Sequence, residues 1–257
     1  MSIPSSLITA APAEDLFEGR RTDLDAINTF AGIANRVVCI SGVTGIGKTA
    51  LLRQFFHSAI RRLNIMGQPH YQHALWLEND FKVLMNKWQL SSVHDVLDKL
   101  VHIGGDKLLC MDNAPEDPAQ LAYLTEHKWT VMVTSRERIK ETIPYELQEV
   151  SIDDAIRIFA LYNRLDPDSL NIYETEMISD IACRLLQHTK ALKIAGKCAG
   201  EKGWSLQETN QVLKENGLNI PRLADISRQL TEGKVKMILE QLGMIFPVGQ
   251  EMVFCNR

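Results

Sequence analysis

The 257-residue sequence lacks the features of secreted and membrane-spanning proteins. Its five cysteines form no CxxC pair, so neither a disulfide framework nor a thiolate metal site is indicated. No stretch reaches the ~18 consecutive apolar residues of a membrane-spanning helix. The first twenty residues also lack the basic and apolar regions of a signal peptide. The sequence therefore predicts a soluble, cytoplasmic protein with reduced thiols.

An excess of positive charge is missing as well. The formal net charge is -4, and the basic residues are spread along the chain. We expect neither nucleic acid nor a membrane surface as a partner, because no basic patch would attract them. With 45% hydrophobic and 23% charged residues, the composition is that of a globular protein with one large or two small packed units.

The first 150 residues alternate between strand-like and helix-like patterns. Short apolar runs typical of buried strands occur at residues 36–41, 73–78, 107–112 and 130–135. Apolar residues at helical spacing lie between them, for example at 49–63 and 91–103. This alternation predicts an α/β fold with a parallel sheet flanked by helices.

From residue 151 onwards the pattern is almost entirely helical. Four helical segments are predicted at 151–163, 173–187, 190–203 and 205–217, with Gly203 and Gly217 as helix stops. The pattern of the last segment, at 219–257, predicts two helices and a short strand, which is typical of part of a winged helix. We therefore divide the chain into a lead-in segment, an α/β domain, an all-helical domain and this last segment, at residues 1–15, 16–150, 151–218 and 219–257.

A glycine-rich loop separates the first strand from the helix that follows. Residues 42–49 read GVTGIGKT and match the phosphate-binding pattern GxxxxGK[ST]. The glycines allow successive backbone N–H groups to point at phosphates at the positive end of the helix. A glycine-rich turn that binds nothing is the alternative. The candidate phosphate-binding residues are Gly42, Gly45, Ile46, Gly47, Lys48, Thr49 and Ala50.

Two of these residues have specific expected roles. Lys48 would contact the β- and γ-phosphates, and the Thr49 hydroxyl would bind Mg²⁺. A second Mg²⁺ ligand is expected from an acid at the end of a neighbouring strand, adjacent to the first. Asp112 ends the strand at 107–112 and fits this role, although it could also simply cap the next helix.

The next two candidates bear on hydrolysis. Asn113 follows Asp112 where a second carboxylate is found in many hydrolysing P-loop proteins. An amide can orient a water molecule but cannot take its proton, so nucleotide binding is better supported than turnover. Arg136 follows the fourth strand and could contact a γ-phosphate. The alternative is a solvated arginine at the start of a helix.

Several separated segments together resemble one family, the STAND ATPases with an NB-ARC-like nucleotide-binding module. They are LFEGRRTDL at 16–24, the glycine loop, LLCMDN, VMVTSR and the segment 146–159. The resemblance covers roughly residues 15–200 and implies that the chain binds ATP or ADP with Mg²⁺. It also implies that Phe17, Gly19 and Arg20 lie on the adenosine side and that Arg136 senses the γ-phosphate.

The chain departs from the family at residues 187–192, which read QHTKAL where the family has GLPLAL. Thr189 takes the place of the proline that touches the adenine in the family. The expected function is a nucleotide-dependent signalling switch with slow hydrolysis, at most a weak Mg²⁺-dependent ATPase, acting by domain closure, self-association or a protein partner. The alternative is a non-hydrolysing adaptor or decoy that retains the fold. DNA binding through a C-terminal winged helix is a third hypothesis, against which the acidic charge argues.

Overall fold

The computed structural model describes residues 7–9, 11–12, 16–33 and 35–216. They form two compact units. The first contains the described residues up to Gly42 together with Gly47–Gln148, and the second contains Val43–Ile46 and the described residues from Glu149 onwards. The predicted winged-helix segment and the predicted stop at Gly217 lie outside the described residues.

The first unit is built on a five-stranded sheet with helices around it. The strands are β1 (Val37–Ser41), β2 (His73–Glu78), β3 (Lys107–Asp112), β4 (Trp129–Thr134) and β5 (Ile143–Glu146). All pair in parallel, in the order β2-β3-β4-β1-β5. The helices are α1 (Arg21–Ala31), α2 (Lys48–Arg61), α3 (Lys82–Trp88), α4 (Val93–Val101) and α5 (Ala119–Glu126). The predicted parallel α/β sheet is thus confirmed.

Burial explains why these strands form. Every residue of β1 is buried, as are the first five residues of β2 and of β3. Strands covered on both faces need continuous apolar sequence rather than alternation, and these runs provide it. Cys39 and Cys110 lie within them without any exposure to solvent and act as small apolar side chains.

Two elements were not predicted from the sequence. Strand β5 has only four residues, includes Pro144, and is only half-buried. It lies at the edge of the sheet beside β1, where a proline is tolerated because no further strand needs its missing N–H. Helix α3 was also missed. In addition, no helix forms at 135–142, where the alternative for Arg136 required one; this connection is irregular.

The second unit contains four helices: α6 (Ile152–Tyr162), α7 (Ile172–Arg184), α8 (Thr189–Lys202) and α9 (Leu206–Asn216). They pack around a core that includes Phe159, Ile178 and Leu192. Side chains cap the starts of α6 and α7, since Ser151 accepts from Asp154 N–H and Asn171 forms a capping box. Within the described part of the chain, no helix is long and apolar enough to cross a membrane.

Candidate functional site

The glycine loop connects β1 to α2 in the conformation that its glycines permit. Gly42, Gly45 and Gly47 have φ values of 144°, 82° and 114°, a region that side chains with a Cβ rarely adopt. Helix α2 begins directly after Gly47, with no side-chain cap and no acidic residue in its first turn. Its N-terminus is therefore a favourable place for an anion.

Lys48 lies at this helix start with its ammonium group partly withdrawn from water. Its Nζ donates a 2.8 Å hydrogen bond to the Gly42 carbonyl. Burial lowers the pKa of Lys48, the charge of Asp112 opposes this shift, and the charge of Arg136 adds to it. The positive charges of Lys48 and Arg136 thus repel each other, and an anionic group bound near them would reduce this repulsion.

A carboxylate and two hydroxyls meet at the ends of the strands. Asp112 Oδ1 accepts hydrogen bonds from Thr49 Oγ1 and from Thr134 Oγ1, both at 2.7 Å. Oxygen donors of this kind are the ligands that Mg²⁺ prefers, so Thr49 and Asp112 fit the predicted role. The alternative that Asp112 caps the next helix is wrong, because Pro118 is the N-cap of α5.

The predicted adjacency of the two strands is also wrong. Strand β4 lies between β1 and β3, so the strand that carries Asp112 does not pair with the strand that leads into the loop. Thr134, at the end of β4, donates to Asp112 from this intervening position. Thr134 was not predicted as a site residue, because its role depends on strand order. A polar residue ending an apolar strand was the available signal.

Asn113 is held in place by backbone and side-chain contacts. Its N–H donates to Thr134 Oγ1 at 2.8 Å, and its Nδ2 donates to Asn79 Oδ1 at 3.1 Å. Asn79 in turn donates its N–H to the Asp112 carbonyl at 2.8 Å. Strands β2 and β3 pair Glu78 with Asp112, which brings the two following asparagines side by side. Asn79 was not predicted as a site residue.

Arg136 is exposed on the irregular connection after β4. Its charge contributes to lowering the pKa of Lys48. The first unit thus brings together Lys48, Thr49, Asp112 and Asn113 and adds Asn79 and Thr134. The charge of Arg136 acts on Lys48.

The segment with Phe17, Gly19 and Arg20 precedes α1. Gly19 and Arg20 both have positive φ, at 74° and 65°, and Phe17 is half-buried. Arg20 is buried, and its Nη1 donates to the Gln148 carbonyl at 2.6 Å and to Asp23 at 3.2 Å. These contacts fix the turn, and the adenosine-side role of the segment stays a prediction.

Thr189 is the first residue of α8 and only 7% exposed. Its Oγ1 donates to the Ile46 carbonyl at 2.8 Å, within the second unit, to which Val43–Ile46 belong. The hydroxyl thus contacts the tip of the glycine loop. That Thr189 is a nucleotide-binding residue stays a prediction.

The fold and the site together define the class of protein. A parallel sheet with helices around it, a GxxxxGKT loop after β1 and an acid at the end of β3 make this a P-loop NTPase fold. No family model matches the sequence, and no curated protein matches it significantly.

Solved structures agree on the fold. A Walker-type ATPase of Pyrococcus abyssi is 13% identical, with 92% of this chain and 79% of that chain covered and a TM-score of 0.55. The replication initiator DnaA, bound to AMPPCP and single-stranded DNA, is 14% identical, with 87% of this chain and 74% of that chain covered and a TM-score of 0.52. At this identity the similarity concerns the fold alone.

Proposed function

We propose that this protein is a Mg²⁺-dependent ATP- and ADP-binding switch of the STAND type, with slow hydrolysis. One observation carries the proposal: Thr49 and Asp112 lie 2.7 Å apart, oxygen to oxygen, beside the ammonium group of a glycine-loop lysine. An acid that contacts the loop threonine in this way fits a Mg²⁺ site at a nucleotide phosphate.

Each site residue in the first unit has a distinct role in this proposal. The first N–H groups of α2 and the ammonium of Lys48 hold the β- and γ-phosphates. Thr49 and Asp112 hold the Mg²⁺, and Arg136 contacts the γ-phosphate. A bound Mg²⁺ supplies positive charge that offsets the charge on the phosphate oxygens. Among the described residues, no group of three or more His, Cys, Asp or Glu side chains is arranged to hold a metal ion.

Slow hydrolysis follows from the chemistry of Asn113. Its amide lies next to Asp112 and donates to Asn79, so it can orient a water molecule. It has no basic group that could accept a proton from that water. The protein is therefore better suited to holding ATP than to turning it over, as a switch requires.

The choice of adenine rests on the STAND resemblance and on one neighbour in the comparison of structures. DnaA is bound to the ATP analogue AMPPCP in its structure. Phe17, Gly19, Arg20 and Thr189 are the candidate residues on the adenosine side. Output would pass through domain closure, self-association or a protein partner. DnaA is also bound to single-stranded DNA, and a salt-dependent gel shift would test nucleic acid as a further partner for this chain.

A second candidate function is a non-hydrolysing adaptor that keeps the P-loop fold. The amide of Asn113, in place of a carboxylate, favours it. Affinity for a protein partner that is the same with and without nucleotide, together with the absence of ATPase activity, would support the adaptor over the switch.

The test is Lys48→Ala, compared with Lys87→Ala, which removes the same charge from an exposed position on α3. Titration calorimetry with ATP and Mg²⁺ should show about 100-fold weaker binding for Lys48→Ala, the effect of losing a charge-assisted contact to phosphate. Lys87→Ala should bind like the wild type, and both variants should keep their melting temperature. Unchanged affinity in Lys48→Ala would refute the phosphate site.

A further inference from the structure

The start of α8 makes hydrogen bonds with the glycine loop tip, defined here as Val43–Ile46. Three consecutive residues of the helix start reach three consecutive carbonyl groups of the loop tip, all within the second unit. The pairs are His188 Nε2 with Thr44 O at 3.1 Å, Lys190 N with Gly45 O at 3.1 Å, and Thr189 Oγ1 with Ile46 O at 2.8 Å.

Both ring nitrogens of His188 make hydrogen bonds, which fix the orientation of the ring. Its Nδ1 accepts the Ala191 N–H at 3.3 Å and thereby caps α8. Because Nδ1 accepts, the proton of the neutral ring is on Nε2, which donates it to Thr44 O. A residue that caps the helix thus also fixes the loop, and it is only 6% exposed.

These contacts determine the direction of the loop amides. In a planar trans peptide, the C=O of one residue and the N–H of the next point in opposite directions. Carbonyls of Thr44 and Ile46 that face α8 therefore direct the N–H groups of Gly45 and Gly47 away from it. The N–H of Ile46 makes a longer, 3.3 Å turn contact with the Val43 carbonyl.

Gly45 lies close against the start of α8. A Cβ on Gly45 would lie 2.9 Å from His188 Cε1 and 3.0 Å from Lys190 Cβ, and its φ is +82°. The glycine is therefore required by this contact as well as by the curl of the loop. Loop and helix start are fitted to each other at this point.

We propose that His188 and Thr189 are positioning residues, which hold the loop tip so that its amides are directed towards a phosphate before nucleotide binds. The inference rests on the proposed nucleotide binding and deepens it. Thr189 stabilises the phosphate-binding conformation of the loop through the Ile46 carbonyl, in addition to any role beside the adenine. Nucleotide affinity then depends on two side chains at the start of α8 that contact carbonyl groups of the loop tip.

Two variants remove one contact each. Thr189→Val keeps shape and volume and loses the hydroxyl. His188→Asn keeps an N-cap residue of a preferred type, but its shorter side chain cannot bring a donor to the position of Nε2. The matched control is Thr209→Val on α9, because Thr209 is 2% exposed and its Oγ1 donates at 2.9 Å to the carbonyl of Ser205, the residue before the helix.

Hydrogen–deuterium exchange of the nucleotide-free protein is the first measurement. Amides of residues 42–49 should exchange about fivefold faster in Thr189→Val and in His188→Asn, the factor that one ordinary hydrogen bond contributes. Thr209→Val should leave these amides unchanged. Loop exchange in both variants at the wild-type rate would overturn the proposal, and this result does not depend on whether the protein binds nucleotide.

Equilibrium titration with a fluorescent ATP analogue and Mg²⁺ is the second measurement. Each variant should bind about fivefold more weakly, while Thr209→Val stays within about twofold of the wild type. Faster loop exchange with unchanged affinity would overturn the positioning role. A wild type that binds no ATP would refute the proposed function instead, and the exchange experiment would still decide whether α8 holds the loop.

Discussion

One hydroxyl at the end of β4 connects two parts of the candidate site. Thr134 is fully buried, donates to Asp112 Oδ1 at 2.7 Å, and accepts the N–H of Asn113 at 2.8 Å. Thr134→Val removes the hydroxyl and keeps the shape of the side chain. The variant therefore tests whether this connection stabilises the folded protein.

The expected loss of stability can be worked out contact by contact. A hydrogen bond to a charged acceptor contributes about 1.5–3 kcal/mol, and an N–H left without its partner costs about 1 kcal/mol or more. Burying a methyl group in place of the hydroxyl returns some of this, at about 0.8 kcal/mol per apolar carbon. The net loss in the free energy of unfolding should be about 2–3 kcal/mol.

Urea unfolding of the nucleotide-free protein measures this loss, and Thr125→Val is the control. Thr125 is also buried, and its Oγ1 donates to the uncharged Ala122 carbonyl at 2.8 Å. Its replacement should cost about 1 kcal/mol. Equal losses for the two variants would refute the reasoning. They would mean that the hydrogen bond from Thr134 to the charged Asp112 contributes no more to stability than a hydrogen bond to an uncharged carbonyl.

Three further outcomes are expected. Asn113→Glu introduces a proton acceptor, so ATP turnover measured by phosphate release should rise by about 100-fold relative to Asn113→Gln. Gly196→Ala places a Cβ 2.7 Å from the Phe159 carbonyl, so the melting temperature should fall by an amount equivalent to about 1–3 kcal/mol, against the usual gain from alanine in a helix. Burial, and less strongly the charge of Lys107, lowers the pKa of His73 from 6.5. The unfolded chain therefore binds the proton at a higher pH than the folded protein does. Stability should decrease as the pH falls from 6.5 through the lowered value. Urea midpoints should show a smaller decrease for His73→Asn.

The sheet was predictable where burial alone specifies the strand. Four strands were located to within one residue at each end, because strands covered on both faces are short runs of apolar residues. Strand β5 could not be found in this way. It is half-buried and contains Pro144, and only its pairing with β1 at the sheet edge makes it a strand.

The site was predictable as far as a local motif extends. Lys48 and Thr49 follow from the glycine loop, and Asp112 follows from an acid after an apolar run. Thr134 and Asn79 are different, because their roles depend on strand order and on the pairing of Glu78 with Asp112. No spacing along the chain contains that information.

Asn113 has a structural reason to be asparagine that is independent of hydrolysis. Asn113 and Asn79 have φ values of 62° and 63°, a left-handed conformation that costs most side chains about 1 kcal/mol or more and asparagine least. Asn113→Glu and Asn113→Gln should both lose stability by this backbone cost. Because the two variants share it, the difference in turnover between them isolates the carboxylate. Equal turnover would mean that the backbone conformation explains the asparagine and that slow hydrolysis has another cause.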